Sequence, residues 1–266
     1  MPKPSFEPQP DNSFRIVHPE FCRSFVRILK KIAERSIPTD EAIARLQEIL
    51  KRYPYHFEAA RMLADIHAEN GDCLTACDIR YKACQQLMKL LPEEDEEETP
   101  AFDWEYRDNQ QALLLLEASA IDHFLAGDFE MAAAMLETLL ELDEEDHLGA
   151  LQTLAYCYVA LDEPDSFRTI APDMNGKEAG TALAELWASF RFTGELEPER
   201  MKSFEKEWAA VYREFTSGSH EITEAYLSDI DSERPSKEAR ALLLWLRTEH
   251  LWQGDFGDFI TALKNR

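Results

Sequence analysis

Three cysteines and a histidine are the side chains best suited to hold a metal. Cys73, Cys77 and Cys84 lie four and seven residues apart, which puts them on one face of a helix, and His67 precedes them across a Gly-Asp turn. Four such ligands would suit zinc. No Cys-x-x-Cys pair is present, however, and Cys77 adjoins Ala76 where helices must pack closely, so the spacing reads as packed thiols. His220-Glu221-Ile222-Thr223-Glu224 opens like a zinc-protease helix, but Glu224 stands where the second imidazole belongs, and a helix start near Ser219 accounts for it better. Gly176-Lys177 carries the Gly-Lys of a phosphate loop, yet Ala171 replaces the first glycine and Glu178 the metal-binding hydroxyl, leaving a turn. The run Glu93 to Glu98 lacks the alternating ligands and central glycine of a calcium loop. His67, His123 and His250 each stand four residues before a turn glycine, a recurrence that points to packing, and no nucleophile stands at matched spacing. The sequence therefore predicts no catalytic, cofactor or metal site.

Composition narrows the partners. The 266 residues include 28 Lys and Arg against 52 Asp and Glu, a net charge of −24 that repels nucleic-acid phosphates and anionic lipid, while 45% hydrophobic residues suffice for a continuous core. The charge is uneven: residues 1–90 hold 14 basic and 12 acidic side chains, and 91–266 hold 14 and 40. Most early positive charge lies on Arg23, Arg27, Lys30, Lys31 and Arg35, interleaved with Phe21, Phe25, Val26, Leu29 and Ile32 at helical spacing; this predicts a capping helix with a solvated basic face. No apolar run reaches the roughly 20 residues of a membrane span. Residues 1–19 are polar and proline-rich without an apolar leader core, so a flexible tail and a cytosolic protein are expected, with five cysteines that stay reduced.

The elements between these features read as helices. Apolar residues recur at three and four, glycine is scarce, and strand-like alternation is absent, which predicts an all-α fold. Residues 20–91 would form a capping helix and first helix pairs, 92–108 an acidic loop anchored on its return by Trp104 and Tyr106, and 109–266 further pairs with a carboxy-terminal capping helix. One turn recurs: Asn70-Gly71-Asp72, Ala126-Gly127-Asp128 and Gln253-Gly254-Asp255, each pairing a left-handed glycine cap with an aspartate that satisfies the next helix. Around the first lie Leu63, Ala64, Ala76 and Ala83; one unit earlier lie Ala42, Leu46, Ile49 and Pro54, and the unit from Phe57 has the length of 34 residues. With these positions the chain resembles the tetratricopeptide repeat (TPR) family, with degenerate units near Leu154 and Leu186.

The resemblance implies a helical-hairpin α-solenoid whose first helices line a concave groove. On this chain it places Arg61, Asp65, Glu69, Glu117, Ile121, Phe124, Leu244 and Trp252 along that groove, a mixed acidic and apolar surface. The carboxylate clamp of TPR co-chaperones, built from Lys and Asn, has no counterpart here. The expectation is a non-enzymatic adaptor that binds a basic or amphipathic peptide, with no nucleic-acid or membrane partner. Two other readings stand beside it: a structural homodimer packed through exposed Trp245 and Trp252, and an acidic decoy that mimics nucleic acid.

Overall fold

The computed structural model of the chain describes residues 3–10, 13–91 and 101–265, and the acidic run Glu93 to Glu98 lies outside them. The described chain is mostly helical and divides into two compact units, Met1–His123 with Met131–Ala150 and Phe124–Glu130 with Leu151–Arg266.

In the first unit a 3-10 turn, Glu20–Ser24, leads into α1 (Val26–Ala33), followed by α2 (Thr39–Arg52), α3 (Phe57–Glu69), α4 (Cys73–Met88), most of α5 (Arg107–Leu125) and most of α6 (Phe129–Leu142). Helix α2 shows why these segments hold. Asp40 and Glu41 lie in its first turn and Lys51 and Arg52 in its last, matching the helix dipole, and Ala42, Leu46 and Ile49 form its buried stripe. Cys22, Phe25, Leu29 and Ile32 pack on that stripe with Tyr53, Ala59 and Leu63. The basic residues opposite are solvated or ion-paired, Arg23 with Glu20, Lys30 with Glu34 and Arg35 with Glu69. Val26 does not join the core and is exposed.

Between α3 and α4 the expected turn is present: Gly71 has φ +81°, and Asp72 accepts the Thr75 amide at 3.2 Å. His67 bonds the same aspartate, Nδ1 to Oδ2 at 3.2 Å, which gives that histidine its packing role. Small residues, Ala59, Ala60 and Ala64 against Ala76 and Ala83, are buried where the two helices approach. Cys73 corrects the expectation of a packed thiol: it is exposed at the start of α4, while Cys84, three turns further along the same helix, is buried and its Sγ donates to the Leu115 carbonyl.

The amino-terminal segment is not a tail. Ser5–Pro8 (β1) and Phe14–Val17 (β2) form an antiparallel hairpin in the register Phe6 to Ile16. It is held by backbone bonds between Phe14 and the returning chain at Ala101 and Asp103, and by one buried side chain at the start of α5. Asn109 accepts the Ile16 amide at 2.8 Å and donates to the carbonyls of Phe14 and Asp103 at 2.8 and 2.9 Å. The returning chain is fixed as expected: Trp104 stacks on His147 with ring centroids 4.7 Å apart, and the Tyr106 hydroxyl donates to Gln9. Replacing Asn109 by Leu should remove this partner from the Ile16 amide and from the Phe14 and Asp103 carbonyls and cost about 2–3 kcal/mol. Hydrogen exchange at Ile16 is the check; unchanged protection there would show the hairpin to be held otherwise.

The second unit contains α7 (Ala150–Ala160) from Leu151 on, then α8 (Pro164–Ile170), α9 (Ala179–Thr193), α10 (Pro198–Glu207), α11 (Ala209–Thr216), α12 (Glu224–Ile230), α13 (Lys237–Gln253) and α14 (Gly257–Lys264). Its core is aromatic: Trp187, fully buried, meets Trp252 edge-on at 5.0 Å, and Phe215 meets Trp245 at 5.1 Å. Trp245 and Trp252 are each only 5% exposed, which removes the exposed aromatic ends on which the homodimer reading stood. The Gly254 turn also departs from its two counterparts. Gly254 has φ −98°, and α14 is entered through Phe256 without a side-chain cap from Asp255. Glycine is needed there because a Cβ would lie 2.9 Å from the His250 carbonyl oxygen. No helix start lies at Ser219; α12 begins at Glu224 under a Thr223 cap, and His220 instead stacks on Trp245 and bonds Glu214 at 2.7 Å.

Candidate functional site

The predicted groove residues fall into two groups. On α3, Arg61 bonds Asp65 at 2.8 Å and Gln111 of α5 at 2.9 Å, and Arg80 of α4 lies against both Asp65 and Asp122. Glu69 is paired with Arg35, and Glu58 with Arg107 at 2.6 Å. The carboxylates on this face are thus largely answered by arginines, and Glu117 and Ile121 are half-buried beside them. Phe124, Leu244 and Trp252 lie in the core of the second unit: Phe124 meets His250 edge-on at 4.7 Å, and Trp252 Nε1 donates to Thr248. The structure brings Arg61 and Asp65 together and leaves those three apolar residues away from solvent.

An apolar groove runs instead between α4 and α6. Met88, Met131 and Met135 line it with Tyr81 and Thr138, enclosing about 510 Å³, and Met88 and Met131 are 45% and 38% exposed. Methionine is unbranched and polarizable, so such a surface can mould itself around a bulky side chain. Glu137 and Glu141, exposed on α6, lie one helical step from Ala134 and Thr138 in the groove wall. Residues 101–150 hold thirteen acidic side chains and one basic residue, Arg107. Met88 and Met131 carry no local motif, and only the packing of α4 on α6 makes them one surface.

A second cavity in the same unit, about 690 Å³, gathers ionisable groups from four separate segments. His18 Nδ1 lies 3.0 Å from the Tyr53 hydroxyl, its ring stacks 5.6 Å from that of His56, and its Nε2 is 3.7 Å from Asp108. Burial lowers both imidazoles to about 4, against weaker opposing pulls from Glu58 on each and from Asp108 on His56. Both are therefore neutral at physiological pH, and Nδ1 of His56 is buried without a hydrogen-bond partner. Burial raises the Asp108 carboxyl and pushes the Cys22 thiol up to about 11, so that thiol stays protonated. At 3.7 Å, Asp108 is beyond hydrogen-bonding range of His18. The arrangement supplies neutral polar groups within a wall rather than an activated nucleophile. Among the described residues no group of three or more His, Cys, Asp or Glu side chains is placed to hold a metal ion.

No family model and no curated protein matches the chain. No helix among the described residues is long and apolar enough to cross a membrane.

Proposed function

We propose that the protein is a non-enzymatic adaptor of TPR-like, helical-hairpin type, and that it holds a basic amphipathic peptide against the methionine-lined groove of α4 and α6. The reading is carried by one observation: partly exposed Met88 and Met131 share a groove whose neighbouring helix turn bears Glu137 and Glu141. An amphipathic helix would place a bulky apolar anchor between the methionines and Lys or Arg beside the carboxylates. Lys89 is the only charged side chain among the described residues of the groove wall, so the negative charge that would meet a basic peptide comes from Glu137 and Glu141 on the adjoining face of α6. The Gly71 and Gly127 turns, both left-handed, support the repeat-like arrangement of hairpins. The relevant face is then the second helices of the hairpins rather than the arginine-neutralised face of α3.

The test is fluorescence anisotropy with a labelled Lys- and Leu-rich helical peptide at two salt concentrations. Binding should weaken about tenfold between 50 and 300 mM salt as exposed charges are screened. Met88→Asp should abolish it, and Glu141→Lys should weaken it about fivefold. Salt-insensitive binding, or equal affinity for the Met88→Asp protein, would defeat the proposal.

A further inference from the structure

The second unit contains a cavity of the opposite sign. Residues 151–266 hold 21 acidic and 13 basic side chains, yet six of those thirteen, Lys177, Lys206, Arg213, Lys237, Arg240 and Arg247, line one cavity of about 450 Å³. An acidic segment that gathers nearly half its cations at one depression has built a local field against its own net charge. Three carboxylates, Glu178, Glu207 and Glu238, share the wall, and only Glu238 is paired there, with Arg213 at 2.9 Å. Lys177, Lys206, Lys237, Arg240 and Arg247 have no carboxylate partner among the described residues. Elsewhere in the unit Arg168 and Arg200 are paired with Asp165 and Glu197.

The backbone adds to the positive field. Helices α9, α11 and α13 all begin at this cavity: Ala179 and Gly180, Ala209 and Ala210, and Lys237 and Glu238 lie in its wall. Neither Glu178 nor Trp208, the residues preceding α9 and α11, caps its helix with a side chain, whereas Ser236 caps α13 by accepting the Ala239 amide and the carbonyl end of α10 lies beside the start of α11. The first amides of a helix carry partial positive charge and favour an anion. A Cβ at Gly180 would displace the side-chain amide of Gln152, which lines the cavity, and the Gly180 carbonyl is held by the buried Tyr156 hydroxyl at 2.9 Å.

The rest of the wall is apolar. Half-buried Trp208 and Leu243 provide a surface for the uncharged part of a ligand, and the buried Val211, Ala241 and Leu244, the last expected in a peptide groove, complete the wall. The volume is that of a small-molecule site, about 300–1,000 Å³, rather than of a channel for an extended chain. Guanidinium groups, ammonium groups and helix amides together match phosphate oxygens.

We infer that the cavity at the starts of α9, α11 and α13 binds a small phosphate-bearing molecule with a flat or apolar body, of the nucleoside polyphosphate class. The site is independent of the α4–α6 groove, which draws on none of these residues.

The test is calorimetric titration of the full chain with adenosine triphosphate, inorganic triphosphate and adenosine. Adenosine triphosphate should bind most tightly, inorganic triphosphate about tenfold more weakly for want of the ring, and adenosine weakest of all. Arg240→Glu combined with Arg247→Glu should weaken adenosine triphosphate at least about tenfold. Lys202→Glu, on α10 but outside the cavity, should leave it unchanged. Both arginines are exposed, and circular dichroism checks that the variant stays folded. No heat with any phosphate compound at millimolar concentration overturns the inference, as does affinity indifferent to the double reversal. Tighter binding of a short polyglutamate peptide than of adenosine triphosphate would also overturn it, reassigning the cavity to an acidic segment. Peptide binding at Met88 should be the same in the Arg240→Glu, Arg247→Glu protein, so either proposal can fail alone.

Discussion

Lowering the pH from 7 to 4 should destabilise the first unit by roughly 3 to 6 kcal/mol through two imidazoles alone. His18 and His56 have folded-state values of about 4, well below the ordinary histidine value near 6.5. Above 6.5 neither folded nor unfolded chain binds these protons, and the stability is fully present. Between 6.5 and 4 the unfolded chain takes them up while the folded unit does not, so stability falls as pH falls. The range reflects coupling, since a proton on one ring disfavours a proton on its stacked neighbour. Asp108 acts in the other direction: its carboxyl is raised by burial, so the folded state protonates it earlier and regains part of the loss. Urea titrations at pH 7, 5.5 and 4.5 measure the effect. His56→Phe should roughly halve the pH dependence and be nearly neutral or stabilising at pH 7, because it removes a buried nitrogen without a partner. An unchanged acid profile in that variant would show that the imidazoles do not govern it.

Replacing Trp252 by Glu should unfold the second unit. The indole is buried against Trp187, Phe215 and Phe259 and donates to Thr248 at 2.9 Å. Truncating a buried tryptophan costs about 3–5 kcal/mol, and a carboxylate left in that aromatic surrounding adds a desolvation penalty of several more. The loss should appear as collapse of the near-ultraviolet circular dichroism of the tryptophan cluster. Trp252→Phe keeps most of the volume and should cost about 1–2 kcal/mol. A folded Trp252→Glu protein that merely lost self-association would return the indole to an assembly interface.

Much of the helical architecture was legible because it depends on residues close in sequence. Ala42, Leu46 and Ile49 show their buried stripe by spacing alone, and Gly71 with Asp72 announces its turn because a left-handed glycine and a capping carboxylate act within a few residues. The same signature misleads at Gly254, where crowding against the His250 carbonyl, not backbone handedness, requires glycine. The amino-terminal hairpin has no local signature because its strands have four residues each and are ordered by distant partners, Ala101, Asp103 and Asn109, the last 93 positions beyond Ile16. The candidate sites were hidden for the same reason. His18 and His56 meet only when the hairpin and the start of α3 come together, and Lys177 and Arg247 become one field only when α9 and α13 begin at the same place.

The sequence by itself determined the helical class, the main turns and the uneven charge, since period, capping and net charge are local or additive quantities. Tertiary structure alone decided which charges are neutralised and which gather: it set Asp65 of α3 against Arg61 and Arg80 and Glu69 against Arg35, buried Trp252, and left lysines and arginines around a cavity in an acidic segment. Ion pairing and burial are properties of distance through space, and no spacing along the chain encodes them.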